Sequence, residues 1–259
     1  MPTNADMTAH GAHYLLCLDG VSGVPPPLKA EDFSWDLRNV MQWNLRRRFS
    51  VDTDRAAYDT KLKEAFNPDE PKSKGEWLRN LMAMSLTQVT MFGSTTLAAV
   101  GLFGERLTWL KVGDCTLLLL RYDHDLGTYI TKLNPAHQMV QGCFDQHGRP
   151  CVGPAQLTCY QTCDMTVTNA MAQASKASYK TEEVRAGDIV ILMSDGPGDC
   201  LRLSEIYELV TVAYGRGENP SELAERIVNA AISSGNKVDD MSCVVGFVKE
   251  KDLKRKWKE

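Results

Sequence analysis

The sequence predicts an α+β fold in which helices accompany antiparallel strands. Four apolar segments between residues 94 and 133 are separated by short turns, a pattern typical of antiparallel hairpins. Apolar residues recur at helical spacing in segments before these strands and again near the C-terminal end. The chain has 259 residues, 43% of them hydrophobic, which is enough for a sizeable core. Since no internal repeat or linker divides it, we expect a single domain over residues 1–259.

The first part of the chain predicts one strand and two helices. Residues 14–18 form an apolar run that is too short for a helix. Residues 32–49 and 77–89 each place apolar side chains on one helical face. The polar stretch 50–75 is compatible with one short helix.

Strands follow, then an irregular stretch. The predicted strands of the hairpins are 94–103, 106–112, 115–122 and 128–133. Residues 134–180 are polar and contain three prolines, which favours a long loop of functional importance.

The last part of the chain returns to regular structure. We expect a strand at 189–194 and a helix at 204–214 with Ser204 as its N-cap. Asn219, Pro220 and Gly235 mark the start and end of a further helix. The last predicted strand is 242–248, and the charged tail after it is helical or frayed.

Composition and charge argue against several classes of protein. The formal net charge of -4 gives no basis for nucleic-acid binding. No stretch approaches the roughly 20 apolar residues that cross a membrane, and Met1–Ala12 lacks the apolar centre of a signal peptide. We therefore expect a soluble intracellular protein, cytoplasmic and monomeric, without a nucleic-acid or membrane partner.

Four cysteines and a histidine occur close together in the irregular stretch. They are Cys143, His147, Cys151, Cys159 and Cys163. A structural zinc site is one interpretation, but the spacings match no Cys-x2-Cys pair. Free thiols in a reducing compartment are the interpretation that we favour.

Aspartates lie at the ends of several predicted strands. Asp19, Asp114 and Asp195 follow strands, and Asp239 precedes the last one. Turn formation alone could explain such Asp-Gly pairs, most readily for Asp114 in a hairpin. Asp19 and Asp195, however, directly end very apolar strands, where a charge needs a partner.

These carboxylates predict a metal centre if they meet. Strands carrying Asp19 and Asp195 that ran antiparallel to the last strand would bring both to Asp239 at one edge of the same sheet. Like charges so close together require cations. Oxygen ligands favour hard ions, so we expect Mg²⁺ or Mn²⁺.

Five short motifs then follow one another along the chain. They are Asp19-Gly20-x-x-Gly23, Gly93-Ser94-Thr95-Thr96, Val112-Gly113-Asp114-Cys115, Ser194-Asp195-Gly196-x-x-Asp199 and Asp239-Asp240-Met241-Ser242. In this order they resemble the protein phosphatase 2C family of metal-dependent Ser/Thr phosphatases. The resemblance spans residues 4–248 and is strongest to the branch with valine instead of histidine after the first Asp-Gly.

The resemblance implies both a fold and a ligand set. The fold is a four-layer α-β-β-α sandwich of two antiparallel sheets flanked by helices, with two or three Mg²⁺ or Mn²⁺ ions at one edge. The implied metal ligands are Asp19, the Gly20 carbonyl, Asp195 and Asp239 for the main ions, Asp114 and Asp199 for a third ion, and Asp6 of Asn4-Ala5-Asp6 outside them.

The implied function is hydrolysis of phosphoserine and phosphothreonine in proteins. Asp19, Asp195 and Asp239 are the catalytic metal ligands in this scheme, and the metal-activated water attacks phosphorus in line. Two departures are present: no arginine precedes Asn4-Ala5-Asp6 to bind phosphate, and Val21 replaces a histidine that would act as general acid.

The departures leave an alternative open. The chain could be a catalytically weak or inactive phosphatase-like module that binds or regulates a partner. A two-metal nuclease is a third interpretation, but the basic surface expected for nucleic acid is lacking.

Overall fold

The computed structural model describes residues 4–21, 29–49, 76–144, 150–159 and 166–254. In chain order, the strands are β1 Met7–Gly11, β2 Tyr14–Gly20, β3 Gly93–Phe103, β4 Arg106–Val112, β5 Thr116–Asp123, β6 Thr128–Leu133, β7 Met139–Phe144, β8 Pro150–Pro154, β9 Leu157–Cys159, β10 Ser178–Glu183, β11 Ile189–Met193 and β12 Cys243–Phe247. The helices are α1 Ala30–Arg48, α2 Glu76–Leu86, α3 Val167–Ala174, α4 Asp195–Cys200, α5 Leu203–Gly215, α6 Pro220–Ser234 and α7 Glu250–Leu253.

Two antiparallel sheets form the centre of the molecule. The first has the order β1-β2-β3-β4-β10, with β9 paired to β3, and the second has the order β12-β11-β5-β6. A separate hairpin joins β7 to β8. All of these strand pairs are antiparallel.

Alternation along the strands separates three layers of core. In β2, Leu16 and Leu18 pack with α1, whereas Leu15 and Cys17 face the second sheet. The same alternation in β5 directs Leu117 and Leu119 between the sheets, and Leu118 and Leu120 toward the outer helices. Both sheets are therefore apolar on both faces.

Amphipathic helices cover the two outer faces. Phe33, Leu37, Met41 and Leu45 of α1 repeat every four residues and are fully buried against the first sheet. On the opposite side, Leu223 and other apolar residues of α5 and α6 pack on the second sheet. The predicted four-layer α-β-β-α sandwich is thus confirmed.

The structure corrects several predicted elements. Residues 134–180 are not simply irregular, since they contain β7, β8, β9, α3 and the start of β10. Much of this region escapes pattern recognition because its strands are exposed or short: Met139 and Val152 lie at the surface. Strand β1 was also not predicted.

The predicted N-cap of helix α5 is wrong. Helix α5 begins at Leu203, and the backbone N–H of Arg202 donates to Glu205, so Ser204 is not the N-cap. The cap at Asn219 and the left-handed Gly235 are as predicted for α6. The short helix considered within 50–75 lies outside the described residues, as do His147 and Cys163.

Candidate metal centre

Six aspartates gather at one edge of the sandwich, and we call them the acidic cluster. They are Asp6, Asp19, Asp114, Asp195, Asp199 and Asp239. Asp19 lies on the first sheet, whereas Asp195 and Asp239 adjoin strands of the second. The prediction that all three share one sheet is therefore wrong: the two sheets face each other, and their adjacent edges bring the carboxylates together.

Asp19 and Asp6 form the most buried part of the acidic cluster. Burial raises the pKa of both carboxyl groups, and the negative charge of Asp195 raises both further. Asp6 is only 6% exposed, and its Oδ2 accepts no hydrogen bond from the described residues. Both groups therefore need either a proton or a nearby cation.

The N-terminal segment is tied to the loop before β12. The backbone N–H of Ala5 donates to Asp240 Oδ2 at 2.7 Å, and that of Asp6 donates to Asn4 Oδ1 at 2.7 Å. A Cβ on Gly20 would lie 2.8 Å from Ala5 and from Ser34 Oγ. Gly20 therefore packs closely against the N-terminal segment that carries Asp6.

Asp114 lies in a hairpin turn, but its carboxylate is also buried beside other aspartates. Burial raises the pKa of Asp114, as does the charge of Asp195, and Asp114 Oδ1 is buried without a described hydrogen-bond partner. Gly113 has a φ of +84°, and its N–H donates to the Gln138 side chain at 3.1 Å. The loop before β7 therefore holds this turn against the acidic cluster.

Helix α4 presents two carboxylates and needs glycine at its start. Asp195 and Asp199 are one turn apart, on the same helical face. A Cβ on Gly196 would lie 2.2 Å from the carbonyl oxygen of Asp240, so only glycine permits this approach. The motif Ser194-Asp195-Gly196 thus fixes the distance between α4 and the loop that carries Asp239.

A lysine that the sequence did not point to lies within the acidic cluster. Lys237 Nζ is 2.5 Å from Asp195 Oδ2, 2.8 Å from Asp239 Oδ2 and 3.0 Å from Asp199 Oδ2. Burial by itself lowers the pKa of Lys237, but the hydrogen bonds to these carboxylates raise it overall. Its position two residues before Asp239 is the only sequence signal that could have indicated it.

Two further basic groups border the site. Burial and the charge of Lys111 lower the pKa of His137, whereas Asp199 and Asp195 raise it, which places this exposed imidazole near the acidic cluster. Lys111 is fully buried, and its Nζ donates to the Pro135 carbonyl at 3.0 Å. No pattern in the sequence predicts that His137 lies near these aspartates.

The donor set fits hard divalent cations. Within the described ranges, no group of three or more His, Cys, Asp or Glu side chains is already arranged to hold a metal ion. Nevertheless, Asp6 Oδ2 and Asp114 Oδ1 are buried oxygens without a described donor, and every carboxylate offers the oxygen ligands that Mg²⁺ and Mn²⁺ prefer. Carboxylates in the cluster also outnumber its ammonium groups.

Comparison with known proteins identifies the fold. No protein-family model and no curated protein matches the chain. The solved structure of the photosystem II phosphatase PBCP matches with a TM-score of 0.60 and 19% identity, over 95% of this chain and 91% of that chain. The catalytic domain of the phosphatase PstP, in complex with two manganese ions, matches with a TM-score of 0.51 and 19% identity, over 95% and 91%.

A third similar structure is that of a protein named as a phosphatase 2C. The serine-threonine phosphatase 2C of Toxoplasma gondii has a TM-score of 0.56 and 12% identity, over 90% of this chain and 84% of that chain. This chain has the protein phosphatase 2C fold. In the described ranges, no helix is both long enough and apolar enough to cross a membrane.

Proposed function

We propose that this protein is a metal-dependent phosphatase of the protein phosphatase 2C family that hydrolyses phosphoserine and phosphothreonine in proteins. The observation that carries the proposal is the acidic cluster, which places six carboxylates from both sheets at one edge. Buried carboxylate oxygens without a hydrogen-bond donor, such as Asp6 Oδ2 and Asp114 Oδ1, carry an energetic cost that a bound cation would remove. The protein phosphatase 2C fold supports the same assignment.

Each residue of the acidic cluster has a role in the proposal. Asp19 and the Gly20 carbonyl hold the main Mg²⁺ or Mn²⁺ ions, and Asp195 and Asp239 complete their ligand set. Asp114 and Asp199 lie away from these main ions, at the position of a third ion. Asp6 is not a direct ligand and orients the Asp19 side chain. When bound, the ions supply Lewis-acid activation of water and neutralise the phosphoryl oxygens.

The residues around the acidic cluster position it for this role. Gly196 allows α4 to approach the Asp240 carbonyl, and Ser194 accepts a hydrogen bond from the Ser242 N–H at 3.1 Å. Thr95 Oγ1 donates to the Asp19 carbonyl at 2.8 Å. These contacts hold the carboxylates before substrate arrives, which reduces the reorganisation needed during the reaction.

Metal-dependent release of phosphate tests the proposal. Protein stripped with a chelator is assayed on a phosphothreonine peptide and on an aryl phosphate, with and without Mn²⁺. We expect turnover only with Mn²⁺, and at least a ~100-fold loss in Asp195→Asn, equivalent to about 3 kcal/mol of transition-state stabilisation.

An exposed aspartate provides the matched control for this substitution. Asp125 lies at the surface in the turn after β5, so Asp125→Asn should retain wild-type turnover. Turnover of wild-type protein no higher than that of Asp195→Asn would contradict the proposal. That result would favour the alternative of a phosphatase-like binding or regulatory module.

A further inference from the structure

We propose that Lys237 is a built-in cation that takes the place of one divalent ion in the acidic cluster. It thereby sets how many metal ions the centre holds. The inference rests on the proposed function in one respect, namely that the remaining carboxylates bind divalent ions. It concerns a residue of this chain that none of the five motifs includes.

The contacts of Lys237 are those of a bound cation. Its Nζ lies within 3.0 Å of three carboxylate oxygens, one each from Asp195, Asp199 and Asp239. An ammonium group has three N–H donors, so each donor can serve one carboxylate. The three acids come from α4 and from the loop before β12, and Lys237 joins these two segments.

The same three carboxylates form a set of negative charges that a divalent cation could also neutralise. Asp195 and Asp199 lie on one face of α4, and Gly196 brings the loop carrying Asp239 against this helix. Three like charges at this separation repel unless a cation lies between them. A lysine in that position neutralises part of the charge without any ion from solution.

Tethering favours the lysine over an ion from solution. Lys237 is two residues from Asp239 in the chain, so its ammonium is held at a high effective concentration beside these acids. Its side chain is 30% exposed, which leaves most of it packed within the site. An incoming divalent ion must displace a cation that cannot diffuse away.

The rest of the acidic cluster still needs divalent ions. Lys237 binds only the Oδ2 atoms of its three partners, which leaves the second oxygen of Asp195 as a metal ligand. Asp6 Oδ2 and Asp114 Oδ1 have no described hydrogen-bond donor. Divalent ions are therefore expected near Asp19, whereas Lys237 neutralises the carboxylates near Asp199.

The number of bound ions tests the inference without measuring activity. Chelator-stripped proteins are equilibrated with Mn²⁺ by dialysis, and metal per chain is counted by mass spectrometry of the elements. We expect Lys237→Met to bind one more ion per chain than wild type. Lys237→Arg, which keeps the charge, should bind the wild-type number.

A surface lysine supplies the matched control for loss of charge. Lys180 is 67% exposed and pairs with Glu182, so Lys180→Met should bind the wild-type number of ions. An equal or smaller number of ions in Lys237→Met than in wild type would overturn the inference. If wild type binds Mn²⁺ and releases phosphate in that case, the proposed function still stands.

A second measurement needs no variant. Wild-type protein is treated with an amine-acylating reagent, with and without Mn²⁺, and the extent of modification at Lys237 is measured by peptide mass spectrometry. We expect Lys237 to be equally protected in both conditions because its ammonium stays among the carboxylates. A several-fold rise in modification on adding Mn²⁺ would show that metal displaces Lys237, and would overturn the inference.

Discussion

At the scale of single residues, aspartates beside glycine differ in how their charge is satisfied. Asp188, after Gly187, is buried and accepts two hydrogen bonds from Arg121, at 2.8 and 2.7 Å, so it is a structural ion pair. Asp114, after Gly113, has a buried oxygen without a described donor. The partner of the carboxylate, rather than the Gly-Asp pair itself, therefore distinguishes a structural aspartate from a candidate metal ligand.

The charge of Asp19 opposes folding of the metal-free protein. Since burial and neighbouring carboxylates disfavour its ionised form, Asp19→Asn should raise the free energy of unfolding in EDTA by about 1–3 kcal/mol. The variant should also lose the Mn²⁺-induced rise in melting temperature. Thermal unfolding with EDTA and with Mn²⁺ measures both effects.

Asp125→Asn serves as the control for Asp19→Asn, because Asp125 lies at the surface of the β5–β6 turn. It should behave as wild type in both solutions. An Mn²⁺-induced rise that is as large in Asp19→Asn as in wild type would be incompatible with Asp19 as a metal ligand.

Burial of Lys111 makes the free energy of unfolding depend on pH. Burial lowers its pKa to about 8 from 10.5. Between these values the unfolded chain binds a proton that the folded chain does not, so the contribution of Lys111 to stability rises with pH. Relative to Lys111→Met, wild type should gain up to about 3 kcal/mol between pH 8 and 10.5.

Urea unfolding of both proteins at several pH values measures this difference. Lys180→Met is a suitable control because Lys180 is exposed. The difference in stability between wild type and Lys180→Met should not change with pH in this range. A constant difference in stability between wild type and Lys111→Met from pH 8 to 10.5 would rule out a depressed pKa at Lys111.

At the scale of elements, the proposed metal centre depends on close backbone approach between α4 and the loop before β12. A Cβ on Gly196 would lie 2.2 Å from the Asp240 carbonyl oxygen, which is backbone and cannot rotate away. The Ser194 N–H also donates to the Ser242 carbonyl at 3.1 Å. Separation of these segments would move Asp195 away from Asp239.

Gly196→Ala should therefore weaken metal binding as well as stability. We expect a loss of about 1–3 kcal/mol in the free energy of unfolding, as for an overpacked site, and at least a ~10-fold weaker Mn²⁺ affinity. Gly215→Ala is the matched control because a Cβ at Gly215 meets nothing within 4 Å. Mn²⁺ titration calorimetry compares them, and equal affinities would contradict the role assigned to Gly196.

Sequence patterns predicted the elements that have one strong period. Helix α1 repeats apolar residues every four positions, and α6 carries Asn219 and Gly235 at its two ends. The hairpin of β7 and β8 was missed because its exposed residues carry no alternation. Metal-ligand candidates were found from their motifs, but Lys237 was not, since a lone lysine acquires meaning only from the carboxylates that surround it in space.

At the scale of the whole molecule, the acidic cluster joins the two sheets. Asp19 belongs to the first sheet, while Asp195 and Asp239 adjoin β11 and β12 of the second. Between the sheets lies an apolar core that includes Cys17, Leu117 and Leu192. Ions that bind Asp19 and Asp195 together would therefore also link the two halves of the sandwich across its edge.

Anomalous diffraction from crystals grown with Mn²⁺ tests this account most directly. We predict at least one anomalous peak within the roughly 2.0–2.6 Å typical of oxygen ligands to divalent cations from the Asp19 carboxylate, with Asp195 or Asp239 as a further ligand. The same crystals of Asp19→Asn should lack that peak. Peaks located only away from the acidic cluster, or none at all in wild type at saturating Mn²⁺, would contradict the assignment of this edge as a metal centre for phosphate hydrolysis.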